Sequence, residues 1–245
     1  MKTELSDIIK KFAISKDYFS IDQLRDHLNS LKLDYSDITI KKYLKNLGDQ
    51  KIIFSAGRGY YSTISKVLEL SNEQINPLIE TLKQNYPLIK FSVWSTKSIR
   101  FAFHHLQNIF YTFISADKEA LVFIRDFLIE KKYDVYLNPL PGELDKNVVL
   151  KDGSIILRPS ITRSKAVSNI ASIEQILIDL YVEKDKLRLI DKSEYNRVFS
   201  YIINNFRISL SSLLTYAERR KILPEIKLLI KKNTNATFSQ IVAKI

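Results

Sequence analysis

Apolar positions in the first quarter of the chain fall into three helical stripes followed by a hairpin. Leu5, Ile8, Ile9 and Phe12 share one face over Thr3–Ala13, which predicts a first helix closing a small three-helix core. Ser20 opens a second helix: its side chain can cap the Gln23 backbone N–H, the Gln23 side chain can reach back, and Phe19 can staple onto Leu24. Ser36 repeats the device, with Tyr35 and Ile40 at the staple positions. Ile40, Tyr43, Leu44 and Leu47 then recur at the spacing of one buried face, leaving Lys41, Lys42 and Lys45 on the other side. Gly48 is expected to end that helix, Lys51 to Phe54 to form a strand, and Gly57-Arg58-Gly59 to supply the positive-φ positions of a tight turn before Tyr60 and Tyr61 return.

Past residue 65 the periodicity changes. Ser65 to Tyr86 reads as a connector, in which Leu78, Ile79 and Leu82 mark a helix that ends before Pro87. Short strands and helices then alternate: IKFSVWS, a helix around Ser98–Leu106, IFYTFIS, a helix over Lys118–Lys132 with Leu121, Ile124 and Leu128 inward, and DVYLN. NVVL and SIILRP flank Lys151-Asp152-Gly153 and read as a hairpin. The last third is helical. Ser172 and Gln175 make a capping box ahead of Ile173, Ile176, Leu177, Leu180 and Tyr181. Ser193 opens a helix with Tyr195, Val198, Phe199, Ile202, Ile203 and Phe206 inward, and Ser209 opens one with Leu210, Leu213, Leu214 and Ala217. Pro224 sits in the first turn of another, and the tail after Asn233 is expected to fray. The predicted fold class is α+β: a winged helix-turn-helix over residues 1–65, then a mixed α/β domain with a helical C-terminal portion over residues 66–245.

Composition narrows the class. With 245 residues, 45% of them hydrophobic and 11% aromatic, the chain can bury an ordinary core. Without cysteine it has neither disulfides nor a thiolate nucleophile or metal ligand. The N-terminal MKTELSDIIKKF lacks a signal-peptide apolar region, and no uninterrupted apolar run approaches the ~18 residues of a membrane span, so a cytoplasmic protein without membrane contact is expected. The net charge of +11 is uneven: residues 1–65 hold 11 Lys and Arg against 8 Asp and Glu, residues 66–183 hold 14 against 14, and residues 184–245 hold 13 against 5. A basic excess at both ends suits a polyanion or an acidic protein surface. In the C-terminal helices it comes from Arg188, Lys192, Arg197, Arg207, Arg219, Arg220, Lys221 and Lys227.

Catalytic patterns are sparse. Nucleotide transfer needs paired carboxylates on a strand behind a Gly-Ser turn; Gly153-Ser154 is the chain's Gly-Ser pair, and IILRPS after it has no acid. None of the 5 glycines builds a phosphate-cradling loop. His104 and His105 are adjacent and, on a helix, point about 100° apart rather than at one metal. Glu143, Asp145 and Lys146 resemble the acids and lysine of a metal-dependent nuclease but sit in a loop, PGELDKN, and Asp179 on its amphipathic helix reads as a packing or ion-pair residue. No catalytic residue, cofactor or metal site is therefore expected. The alternative is a metal-dependent nuclease or nucleotidyltransferase-like enzyme targeted by the winged helix. For DNA binding the candidates are Thr39, Lys41, Lys42 and Lys45 on the outward face of the third helix, Arg58 at the hairpin tip, and Tyr60, of the pair Tyr60 and Tyr61 whose other member packs inward.

FSIDQLRDHL, ITIKKYLKNL and GRGYY, followed by SVWST, ASIEQILIDLY and SLLTYAERR, together resemble the AbiEi antitoxin family over nearly the whole chain. Ser172–Leu180 and Leu213–Arg219 match its helix patterns and Gly57-Arg58-Gly59-Tyr60 its wing; a long connection, residues 28–38, departs from shorter members. The resemblance implies a non-enzymatic DNA-binding antitoxin that represses its own promoter. It also implies opposition to a cognate nucleotidyltransferase-like toxin in a type IV toxin–antitoxin or abortive-infection system.

Overall fold

The computed structural model describes residues 2–104, 108–140, 150–161 and 168–234, with residues 2–4 by their backbone alone. The fold is mixed α+β and divides into two compact units, Met1–Leu68 with Phe199–Ile245, and Glu69–Val198. This grouping differs from a cut at residue 65, because the C-terminal helices fold with the N-terminal segment.

In the first unit the order is α1 (Lys2–Ile14), β1 (Tyr18–Ser20), α2 (Ile21–Ser30), α3 (Asp37–Asp49), β2 (Phe54–Ser55) and β3 (Tyr60–Ser62). The strands form an antiparallel sheet, β1-β3-β2, with Phe19 opposite Tyr61 and Ser20 opposite Tyr60. Both predicted N-caps are present. The Gln23 N–H donates to Ser20 Oγ at 3.1 Å while Gln23 Oε1 accepts the Ser20 N–H at 2.7 Å, and the Thr39 N–H donates to Ser36 Oγ. The apolar stripes converge as their spacing requires: Leu5, Ile9, Leu24, Leu28, Ile40, Leu44 and Leu47 are buried in one cluster with Phe19 and Ile53.

Helix ends depart from the sequence reading. Gly48 lies inside α3, and Lys51 takes the left-handed position at φ 56°, its N–H donating to Gly48 O and the Ile52 N–H to Leu47 O. That six-to-one closure consumes residues 51–53, so the strand starts only at Phe54. Lys32, Lys132 and Lys221, at φ 58°, 67° and 60°, close other helices in the same way. In each an apolar residue follows: Leu33, Ile52, Tyr133 or Ile222. Glycine is the usual residue at this position; lysine tolerates it at some backbone cost and sets a cation beside the negative helix end.

Phe199–Ile245 supplies the end of α7 (Lys192–Asn205), then α8 (Leu210–Arg219) and α9 (Leu223–Asn233), with Pro224 in the first turn of α9. Ser209 caps α8 by accepting the Ser212 N–H, and Leu210, Leu213, Leu214 and Ala217 are buried. For α7 the cap is Asp191 rather than Ser193: its Oδ1 accepts the Glu194 N–H at 2.8 Å and the Ser193 hydroxyl at 2.7 Å. The backbone bond from Glu194 holds the Asp191 carboxyl below the usual aspartate range.

The second unit contains α4 (Asn76–Asn85), β4 (Phe91–Ser95), β5 (Thr112–Ala116), α5 (Lys118–Glu130), β6 (Val135–Leu137), β7 (Ile155–Pro159) and α6 (Ile173–Lys186). Its sheet runs β4-β5-β7-β6; β4 is antiparallel to β5, while β7 is parallel to both β5 and β6. The expected hairpin before β7 is thus not how SIILRP pairs, and residues 147–149 of NVVL lie outside the described residues. One sheet face buries Val93, Ile114, Ile155 and Leu157 against α4 and α5. On the other, the Gln175 side-chain amide donates to Ser92 Oγ and Arg158 bonds Glu183, which seats α6 there. Because Gln175 is used this way, the capping box predicted with Ser172 is only half formed. The helix predicted around Ser98–Leu106 is a 3₁₀ segment, Thr96–Ala102, tied to β5 by Ser95 Oγ donating to Tyr111 O and the Tyr111 N–H to Thr96 Oγ1; Leu106 lies outside the described residues.

Candidate nucleic-acid interface

The outward face of α3 is set by its buried one. With Ile40, Leu44 and Leu47 turned into the core, Lys41, Lys42 and Lys45 are exposed. Ile38, in the first turn, is 81% exposed. These four stand at i, i+3, i+4 and i+7, one stripe along the helix. Thr39 is half-buried and its hydroxyl meets Ser36 Oγ at 3.0 Å, so it serves the cap. The start of α3 is anchored to α2 by Arg25, whose guanidinium spans Asp22 at 2.9 Å and Asp37 at 2.5 Å. The bond from Arg25, with Lys41 adding, lowers the Asp37 carboxyl below the ordinary value. One cation thus offsets part of the charge of two carboxylates that would otherwise repel a polyanion at this helix end.

The β2–β3 turn has the predicted geometry: Gly57 and Gly59 adopt φ 98° and 78°, and the Tyr60 N–H donates to Gly57 O at 3.0 Å. Its surroundings depart from a free wing. The Arg58 N–H donates to Ser211 Oγ at 3.1 Å, so the tip is docked on the start of α8 while the Arg58 side chain stays exposed. A Cβ at Gly57 would lie 2.0 Å from Ser211 Oγ; glycine is needed for space as well as for its φ. Further along the same seam, the buried Tyr18 hydroxyl donates to Phe206 O at 2.9 Å and accepts the Ile208 N–H at 3.1 Å. The Arg207 N–H donates to Lys66 O at 2.7 Å, and its guanidinium lies 4.7 Å above the Phe54 ring. Tyr61 stacks on Phe19 at 5.5 Å and is the inward tyrosine. Tyr60 is half-buried, and burial, then the charge of Asp22, raises its phenol.

The second unit turns part of its charge inward. Arg158 on β7 meets Glu183 on α6 through Nε–Oε1 at 3.0 Å and Nη2–Oε2 at 2.5 Å, and Nη1 donates to Asn138 Oδ1 and Pro139 O. Nothing in the local pattern of IILRP announces this partner, 25 residues away. Asp179 is buried one turn before Glu183. The His104 N–H donates to Glu194; His105, Glu143, Asp145 and Lys146 lie outside the described residues. Among the described residues no three His, Asp or Glu side chains gather where a metal ion could sit, and no helix is long and apolar enough to cross a membrane.

A family model described as a family of unknown function, DUF6577, matches residues 39–236. The chain belongs to that family. The DUF6577 match begins inside α3 and takes in the hairpin, the whole second unit, α8 and α9. No curated protein matches the chain.

Proposed function

We propose that the first unit is a winged helix-turn-helix that binds duplex DNA, with α3 as the helix entering the major groove and the β2–β3 turn as the wing. On this reading the protein is a non-enzymatic antitoxin that represses its own promoter and opposes a nucleotidyltransferase-like toxin. The observation that carries DNA binding is where the charge falls. The residues of the first unit hold 20 Lys and Arg against 10 Asp and Glu, and those of the second 18 against 17. Nearly the whole excess therefore belongs to the unit that exposes Lys41, Lys42, Lys45 and Arg58, as a site for phosphates requires. The antitoxin role is supported by the AbiEi resemblance of the sequence.

The test is the Lys42→Ala, Lys45→Ala, Arg58→Ala triple variant on the operon's own promoter. For every phosphate that is no longer neutralised, the slope of log K against log salt should flatten by about 0.9. A variant that shifts this DNA as well as wild type sinks the reading. Expressed from an unrelated promoter beside the toxin gene, the same variant separates the two roles: protection retained means the toxin is opposed directly, and protection abolished means the protein acts through repression. A truncation at residue 65 is unsuitable, because it strips Tyr18 and Arg58 of their partners at Phe206, Ile208 and Ser211.

A further inference from the structure

We infer that Ile38 is a base-reading residue, which packs against a thymine methyl in the major groove while Lys41, Lys42 and Lys45 hold the flanking phosphates. This rests on the DNA-binding reading and deepens it. A β-branched apolar side chain 81% exposed beside the helix cap is costly to leave in water and does nothing for the core, whose α3 contribution comes from Ile40, Leu44 and Leu47. Its position gives it a use. Ile38 stands three, four and seven residues ahead of the three exposed lysines, so a polyanion bound along that stripe meets Ile38 in the first turn.

In the major groove the first residues of an entering helix reach base edges, whereas cations farther along meet the backbone. The apolar feature presented on those edges is the thymine C5-methyl group. An acidic protein partner would satisfy the lysines equally well. It would not explain why the helix start is set by a cap, Ser36 with Thr39, and by the Arg25 clamp across Asp22 and Asp37, which fix the backbone that carries Ile38. Such rigidity suits the reading of a regular lattice of base pairs.

The experiment uses the full chain. Duplexes are selected from a randomised library, and the preferred one is remade with deoxyuridine replacing each thymine in turn. At one or two positions wild type should lose about fourfold in affinity, the worth of one buried methyl group. Ile38→Ala should bind the parent duplex about as weakly as wild type binds the uracil duplex, and should be indifferent to the exchange at that position. Ile38→Val, which keeps a branched methyl, should retain most of the discrimination. If wild type selects a duplex but Ile38→Ala still distinguishes thymine from uracil as wild type does, the inference fails and DNA binding stands. If Ile38→Ala changes self-association and leaves every duplex affinity intact, the residue is a protein contact and the inference fails. If wild type selects no duplex and shows no salt-dependent binding, the inference fails together with the reading beneath it.

Discussion

The two units treat charge in opposite ways. Arg158, Asp179, Glu183, Lys184 and Glu194, all buried, lie in the second unit, whereas among the described residues of the first unit the buried polar groups include the uncharged hydroxyls of Ser62 and Tyr18, and no charged residue is buried. The first unit keeps its charge outside and in excess. The second holds a balanced set and turns part of it inward, where Arg158 is locked to Glu183, Asn138 and Pro139. An external excess acts at long range on a partner and is weakened by salt; an internal pair is hidden from partners and fixes which helix covers which strand. Net charge summed over a whole chain conflates these two uses.

The largest expected effect tests the inward half of that contrast. Arg158→Ala takes the guanidinium away from the buried Glu183 carboxylate and should cost about 3–5 kcal/mol in urea denaturation, while Arg158→Met with Glu183→Leu should recover most of it. A single variant as stable as wild type would mean these charges are solvated after all, and the comparison breaks.

A smaller effect bears on how the first unit presents its charge. Gly59→Ala, at φ 78° with nothing nearby, should cost about 1–2 kcal/mol for backbone strain alone. Gly57→Ala should cost more, since its Cβ also meets Ser211 and Ser209, and adding Ser211→Gly should recover only part of that excess, because Ser209 Oγ still lies 2.7 Å from the Cβ position. Equal costs for Gly57→Ala and Gly59→Ala would show that the turn is not held against α8.

The smallest effect probes the two units with one matched substitution in each. Lys51→Gly and Lys132→Gly relieve a left-handed lysine, a gain of about 1–2 kcal/mol, and remove a cation from a helix end, a loss of about 0.3–1 kcal/mol. Each variant should be stabilised slightly in thermal melts. If the first unit binds DNA as proposed, Lys51→Gly alone should also weaken duplex binding at low salt, because only it removes charge from the basic unit. Equal losses of DNA affinity in the two variants would mean that the field of the whole chain, rather than that of the first unit, attracts the polyanion.

Local chemistry was legible in residue order. Ser20, Ser36 and Ser209 cap helices because a hydroxyl reaches an N–H two or three residues ahead, and the Ile40, Leu44 and Leu47 stripe leaves the lysines outside because a helix has a fixed period. The α3 stripe of the candidate site was therefore readable, although Ile38 stands out only once its exposure is known. Short-range rules failed where two local solutions compete. Gly48 has the residue type of a helix end, yet the cap geometry chose Lys51, with Ile52 to follow. Ser193 has the residue type of a cap, yet Asp191 accepts the Glu194 N–H.

Residue order alone thus specifies most of the helices, the cores their faces build and the exposed stripe of α3, but not that the segment after β4 is a 3₁₀ turn. Long-range packing was needed to bring the two basic ends of the chain into one unit, to dock the β2–β3 turn on Ser211, and to join Arg158 to Glu183. Tyr18 and Phe206 meet across 188 positions, Arg58 and Ser211 across 153. Contacts of that length arise from the packing of finished elements, and no period in the chain encodes them.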